Sequence, residues 1–448
     1  MDAGELIDGL ARVCARAGLP EPRDPVRLTG GATMESWRFT CGDDDYVLRR
    51  APSTAFMADR PFGHDVEAAI IRAAHDKGVS APEIVAELEP GDGIGSGFVM
   101  RALTGSADPR TILEGPDPER LLSECAAQLA RIHSLAPGDV PDAVPVMDYR
   151  AAIADLKAQF EDAGGDRAII ALGLKWMEDN CPDPVEPVLI HGDYRMGNLL
   201  VDSDGWLTGV LDWELAHLGD WHEDLAFGCM AVWRFHRYDR PALGLGAIEA
   251  YLDTYEANGG RPVDRDRFRY WLIHRTVWWA LGCLRMAKIW RSGEDRMLER
   301  VVISRRTSEQ ELDLLMLLEE AEGIDMRSEL ILPSWNEDAV IDGEATDGEI
   351  VQAVSEWLTT LKEHMKGHDR FQLAVARNAL GLVARDLHAP NHLHDQETAN
   401  AILSGDLDHL SDWRRLQLLR HGAIEKCRVD SPKYPALERA RAKWMRTH

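Results

Sequence analysis

The chain has 448 residues, 45% of them apolar and 28% charged, with 76 acids against 50 bases for a net charge of -26. That size and composition exclude a disulfide miniprotein and a disordered chain. So acidic a balance repels phosphate backbones and anionic headgroups, which argues against nucleic acid and membrane as partners.

The imbalance is uneven, with -22 over residues 1–322 and -4 over 323–448, so two regions of different character are expected. The N-terminal stretch MDAGELIDGLARVCARAG reads as an amphipathic helix without a basic flank or apolar core, and no run of about 18 uncharged apolar residues follows. The seven cysteines are scattered, odd in number and never spaced CxxC, which predicts neither a disulfide framework nor a zinc ribbon. A reducing cytoplasm is the expected setting.

Residues 26–103 hold short β-type runs (ESWRFT, DYVLRRA, EIVAEL, GFVMRAL) with one helical insert, GHDVEAAIIRAAHDKG. This predicts a small antiparallel sheet crossed by a helix. From Pro116 helical periods dominate, through PDPERLLSECAAQLARIHSL, 150–160, 166–180 and a Trp-rich stretch at 267–290. Only VLIHGDYRMGNLLVDSDGWLTGVLDWE interrupts them, with apolar runs on either side of a DSDG turn, as in a hairpin. Residues 323–346 collect Gly, Pro, Asp and Glu without a period and read as a linker. Beyond it, Ile350, Val354, Leu358 and Leu361 recur at helical spacing and open a run of four or five helices. The expected architecture is α+β: a β-rich lobe (1–102), an α-rich lobe carrying the hairpin (103–322), the linker, and a small all-α domain (347–448).

The informative segment is HGDYRMGNLL, followed past the turn by GVLDWE. Phosphoryl transfer needs a base to orient the attacking hydroxyl, and an amide oxygen and a carboxylate to hold Mg²⁺ on the phosphates. Asp193 is placed as the base, with Asn198 and Asp212 as metal ligands. An ordinary turn with a capping aspartate is the alternative.

With these motifs the chain resembles the aminoglycoside phosphotransferase family, the small-molecule branch of the protein-kinase-like fold, over residues 1 to about 320. LDWELAHLGDWHEDLA is similar to the branch found fused to some acyl-CoA dehydrogenases. The resemblance implies a two-lobed protein-kinase-like fold, ATP or GTP as phosphoryl donor, Mg²⁺, and a small hydroxylated acceptor. Gly30 and Gly31 then sit where the family has its phosphate-covering turn, Arg49 where it has a phosphate-binding lysine, and Glu67 where a helix glutamate steadies that cation, with Asp65 as competitor. Met100 to Ala102 matches the adenine-facing hinge, with core packing of Met100 the alternative.

Several nearby residues carry two readings. Arg195 either offsets charge on the transferring group or steadies the loop by a salt bridge. Asp224 reads as a brace for the loop or a helix cap, His191 as a packed loop histidine, and Glu214 as a surface acid or a second metal contact. HAPNHLHD (388–395) has donors for a metal but reads as a helix-ending turn. For the acceptor, a hydroxyacyl compound or hydroxyacyl-CoA competes with an antibiotic, and a nucleotide-binding pseudokinase competes with both.

Overall fold

The computed structural model describes residues 3–28, 34–51, 60–326, 345–387, 395–408 and 410–445. Gly30, Gly31, His388, His392 and His394 lie outside them. The chain divides into two compact units, residues 1–148 with 183–268, and residues 149–182 with 269–448.

The first unit opens on helix α1 (Ala3–Arg16), whose Leu6, Leu10, Val13 and Cys14 recur at helical spacing on one face. That face closes a core with Phe39, Tyr46, Leu48 and Val99 from the sheet and Ile94 from the turn before β5. The sheet is antiparallel, of strands β1 (Pro22–Arg27), β2 (Glu35–Cys41), β3 (Asp44–Ala51), β4 (Ile84–Glu87) and β5 (Ser96–Arg101), in the order β1-β2-β3-β5-β4. Helix α2 (His64–Asp76) connects β3 to β4 and buries Glu67, Ala68, Ile70, Ile71 and Ala74. The expected strands and helix all form, but β1 was not legible. PRDPVR has two prolines and three charges, and at a sheet edge it needs no alternating apolar face.

Two helices follow, α3 (Pro109–Leu113) and α4 (Pro118–Ile132), the second started by Asp117, whose carboxylate accepts from the Arg120 N–H, with Pro118 at the first helical position. After α5 (Tyr149–Asp162) and α6 (Ala168–Asp179), both in the second unit, the chain returns with four short strands. Strand β6 (Val188–Ile190) pairs with β9 (His217–Gly219), and β7 (Leu199–Val201) pairs with β8 (Leu207–Val210), both antiparallel. The β7–β8 hairpin is the expected one. The β6–β9 pair was not read, because three-residue strands carry no period. One pair nests inside the other, so the connections 191–198 and 211–216 run side by side, and the Leu211 N–H donates to the Asn198 carbonyl at 2.8 Å. Helices α7 (His222–Phe227) and α8 (Ile248–Ala257) complete this unit.

The second unit is all-helical: α5, α6, the part of α9 (Arg265–Ser292) from Arg269 on, α10 (Leu298–Ser304), α11 (Thr307–Ala321), α12 (Asp347–Thr360), α13 (Gly367–Asp386), α14 (Gln396–Leu403), α15 (Trp413–Asp430) and α16 (Pro435–Trp444). The expected linker, 323–346, falls within this unit. Helices on both sides of 323–346 belong to one unit, because α11 is buried on most faces and packs against α6, α15 and α16. Glu319 of α11 is fully buried with Arg420 of α15, Nε to Oε1 2.6 Å, and accepts from Trp444 Nε1 of α16 at 2.8 Å. An apolar stripe in a sequence shows that a helix is covered, but not by what.

Candidate active site

The nested strand pairs place two acids beside each other. Asp193 lies on the loop after β6, and Asp212 follows β8 with φ +69°, a left-handed conformation that few non-glycine residues adopt and that a surrounding structure must enforce. His191 joins the two loops. Its ring Nδ1 accepts from the Asp193 N–H at 3.2 Å and its Nε2–H donates to the Leu211 carbonyl at 3.0 Å, which defines one neutral tautomer. Burial holds its pKa below the usual histidine range, in keeping with that state. This is the packed loop histidine of the sequence reading.

Asp224, at the start of α7, braces the same loop. Its carboxylate accepts from the His191 N–H (2.7 Å), the Gly192 N–H (2.9 Å) and His133 Nε2 (3.2 Å), all fully buried. Burial alone would push its pKa up, yet these hydrogen bonds and the two imidazoles outweigh it and hold the carboxyl below its ordinary value. Gly192 is required where it stands. Its φ is +82°, and a Cβ there would lie 2.4 Å from the Leu215 carbonyl oxygen.

Asp193 itself is gripped from both sides. Arg195 Nε reaches Oδ1 at 2.8 Å, Asn198 Nδ2 reaches Oδ2 at 2.6 Å, and the Arg195 guanidinium lies 4.4 Å from the centre of the Trp233 ring. Burial, reinforced by the Asp212 charge, raises the Asp193 pKa to about 6 against the opposing pull of Arg195 and Asn198. A carboxylate tuned there can hold or release a proton near neutral pH.

Arg49 joins β3 to this site. Its Nη2 lies 2.8 Å from Asp212 Oδ1 and 2.6 Å from Glu214 Oε2, and its Nε lies 3.2 Å from Glu67 Oε1 on α2. Glu67, not Asp65, is therefore the acid beside Arg49. Burial raises Glu67 to about pKa 7, because one guanidinium shared among three carboxylates does not offset its desolvation together with repulsion from Glu214 and Asp212. The next residue, Arg50, alternates away and pairs with Glu35, Nη2 to Oε2 2.7 Å. Met100 lies in β5, one residue before its end. The N–H groups of Arg101 and Ala102 donate to the carbonyls of Glu83 (2.9 Å) and Asp45 (3.0 Å).

The donors present fit a hard cation. Asn198 commits its amide nitrogen to Asp193, which leaves its oxygen as an acceptor, and Asp212 and Glu214 are partly exposed carboxylates. Among the described residues no group of three His, Cys, Asp or Glu could hold a metal by itself. Magnesium commonly takes only one or two protein carboxylates, with phosphates and water completing its shell.

The sequence profile of the phosphotransferase enzyme family, APH, matches residues 25–265, over half of the chain and all of this site. The chain belongs to that family. It is 27% identical over 271 residues to mouse acyl-CoA dehydrogenase family member 10, which covers 54% of this chain and 24% of the relative. It is 29% identical over 246 residues to chicken acyl-CoA dehydrogenase family member 11, covering 51% and 30%. The chain thus spans less than a third of the length of these relatives. In fold it is similar to the crystal structure of a Ralstonia eutropha protein assigned as an aminoglycoside phosphotransferase, with TM-score 0.57 and 21% identity over 70% of this chain and 98% of that one. The kinase-like fold of the family, an antiparallel sheet followed by a helical remainder, is the one described above.

Three contributors to the APH site had no signal in the sequence. Trp233 arrives from a 3₁₀ turn, His133 from the end of α4, and Arg60 from the approach to α2, where its Nη1 lies 2.8 Å from Glu214 Oε2. None belongs to a motif or a period.

Proposed function

We propose that the chain transfers a phosphoryl group from ATP to a hydroxyl of a small molecule, with a hydroxyacyl compound such as a hydroxyacyl-CoA as the acceptor. The observation that carries this reading is the pairing of a half-buried, proton-competent Asp193 with Asp212 on the adjoining loop, where Arg49 brings a cation from the sheet. Asp193 accepts the proton of the acceptor hydroxyl as its oxygen bonds to the γ-phosphorus and the bond to the bridging oxygen breaks, releasing ADP. Arg195 stays beside Asp193 and offsets charge on the transferring group. Arg49 holds phosphate oxygens and Glu67 keeps it aimed. Asn198 and Asp212 would hold magnesium, which when bound neutralises charge on the β- and γ-phosphates.

The acceptor class draws support from the names of the mouse and chicken relatives, which place acyl-CoA chemistry in the same polypeptides as the matched region. ADP release by the purified chain, measured against hydroxyacyl-CoAs, free hydroxy acids and aminoglycosides, tests both parts. Turnover with hydroxyacyl-CoAs is expected. Turnover with an aminoglycoside alone would replace the acceptor and keep the transfer, while a chain that binds no nucleotide would remove the reading altogether.

A further inference from the structure

Arg50, Arg300 and Arg420 are buried arginines, and each is paired with a carboxylate, of Glu35, Asp295 and Glu319. Arg234, buried to nearly the same degree as Arg300, has no carboxylate partner among the described residues. Its Nε and Nη2 donate to the Cys229 carbonyl at 3.1 and 2.7 Å, and its guanidinium lies 5.6 Å from the centre of the Tyr238 ring. A carbonyl satisfies donors but carries no net charge, so a cation taken out of water is left there without a counter-ion. Neither bond uses Nη1, whose donors stay open to an incoming acceptor.

A second arginine follows on the same turn. The Arg237 N–H donates to the Arg234 carbonyl at 2.9 Å, and the half-buried Arg237 side chain reaches the Leu113 carbonyl at a long 3.4 Å, again without a carboxylate among the described residues. The acid of the turn, Asp239, is exposed and faces Arg240 at 3.8 Å. Between the two arginines Phe235 and His236 have φ of +44° and +74°, consecutive strained residues of the kind that ligand-binding segments retain. The turn also abuts the catalytic loop. Trp233, one residue before Arg234, lies on Arg195, which grips Asp193. Gly228, one residue before Cys229, is packed so closely that a Cβ there would lie 3.1 Å from the Tyr194 carbonyl oxygen.

We infer that Arg234 and Arg237 form an anion subsite that takes a phosphate carried by the acceptor. The inference rests on the proposed phosphotransferase reading and deepens it, since the acceptor is then a phosphate-bearing molecule, as a CoA thioester is and a free hydroxy acid is not. Its chemistry is the match of planar guanidinium forks to phosphate oxygens, which supply the counter-charge that the Cys229 and Leu113 carbonyls lack.

The test is calorimetric binding of CoA, 4′-phosphopantetheine and pantetheine to the full chain saturated with AMP-PNP and Mg²⁺, which keeps CoA out of the nucleotide site. The two phosphorylated probes should bind about tenfold or more tighter than pantetheine. Arg234→Gln and Arg237→Gln should each weaken them about tenfold and leave pantetheine and AMP-PNP unchanged, with Arg234→Lys in between. Because Arg234 also covers the Cys229 carbonyl, Tm is recorded for every variant, and if Arg234→Gln does not hold its fold the half-buried Arg237 decides. Wild-type affinity for CoA in a folded Arg237→Gln, equal losses for pantetheine, or no preference of the unaltered chain for the phosphorylated probes would overturn this inference and leave the phosphotransferase reading in place. Absence of AMP-PNP binding by the unaltered chain would overturn both.

Discussion

At Asp193, burial and the nearby Asp212 charge work against Arg195 and Asn198, and the balance leaves a pKa of about 6. A base must be deprotonated to accept a proton, so the rate of transfer should rise as pH rises through about 6 and level off above it. Arg195 lowers that pKa, so Arg195→Gln should move the acidic limb of the pH–rate profile upward as well as reduce the rate. An unmoved limb would show that another group titrates. Asp193→Asn, which keeps the size and one acceptor, should cut transfer by about a hundredfold or more with AMP-PNP affinity nearly unchanged. Asp224 acts on the same loop from beneath. Since its pKa is held below the ordinary value, its stabilisation is present above the usual carboxylate range and is lost as pH falls through the lowered value. Asp224→Ala leaves two backbone N–H groups and an imidazole without their acceptor, and should cost about 3 kcal/mol or more, visible as a lower Tm at pH 7 and a smaller drop in Tm on acidification.

The elements that matter most are the two nested strand pairs and the arginine-bearing strand. Each of β6–β9 and β7–β8 is too short to stand alone, and they are tied by links between their connections, Leu211 N–H to Asn198 and His191 to Leu211, and by Asp224 of α7 to the 191–192 backbone. Gly192 is the hinge of that arrangement. Gly192→Ala meets both an unfavourable φ and the Leu215 carbonyl, so it should lower Tm and abolish transfer together. On the sheet side, Arg49→Ala should weaken nucleotide binding and Glu67→Ala should do so less. The double variant should be little worse than Arg49→Ala, since the glutamate works through the arginine. Strictly additive losses in that binding cycle would show that Glu67 acts separately.

The whole chain divides along lines that cross the expected linker. Helices before and after 323–346 share one buried surface, and Glu319 has Arg420, Trp444 and Lys443 as its partners, all from beyond residue 346. Removing residues 345–448 would strand that carboxylate and uncover α11, whose Leu312, Leu314, Leu315 and Leu318 are fully buried. A chain ending at residue 324 should therefore aggregate or melt well below the full chain. Residues 345–448 alone should show weak helicity by circular dichroism and no cooperative transition. A cooperative melt of that fragment would restore the independent domain that charge and linker composition suggest. In the intact chain both Arg420→Ala, which leaves Lys443 as a remaining cation at Glu319, and Glu319→Gln, which takes this carboxylate from the fully buried Arg420, should lower Tm.

What the sequence by itself determined is local. The spacing of HGDYRMGN and LDWE placed Asp193, Asn198 and Asp212 in one order, periods of 3.6 and 2 located most helices and the strands β2 to β5, and a DSDG turn located the β7–β8 hairpin. Arg49 was placed by the family resemblance alone, and the structure shows Arg50 leaving the same strand on the opposite face. Only the tertiary structure decided which groups meet across distance. Asp65 and Glu67 competed until α2 was seated on β3, Asp224 was a loop brace or a helix cap until α7 reached the 191–192 backbone, and Arg60, Trp233 and His133 entered from segments with no pattern. The same limit applies to the boundary expected at 323–346, since a periodic stripe records that a face is buried and contains nothing about which helix buries it. Pairing of that kind depends on complementary shape and on charges that become partners only after the chain has folded back on itself.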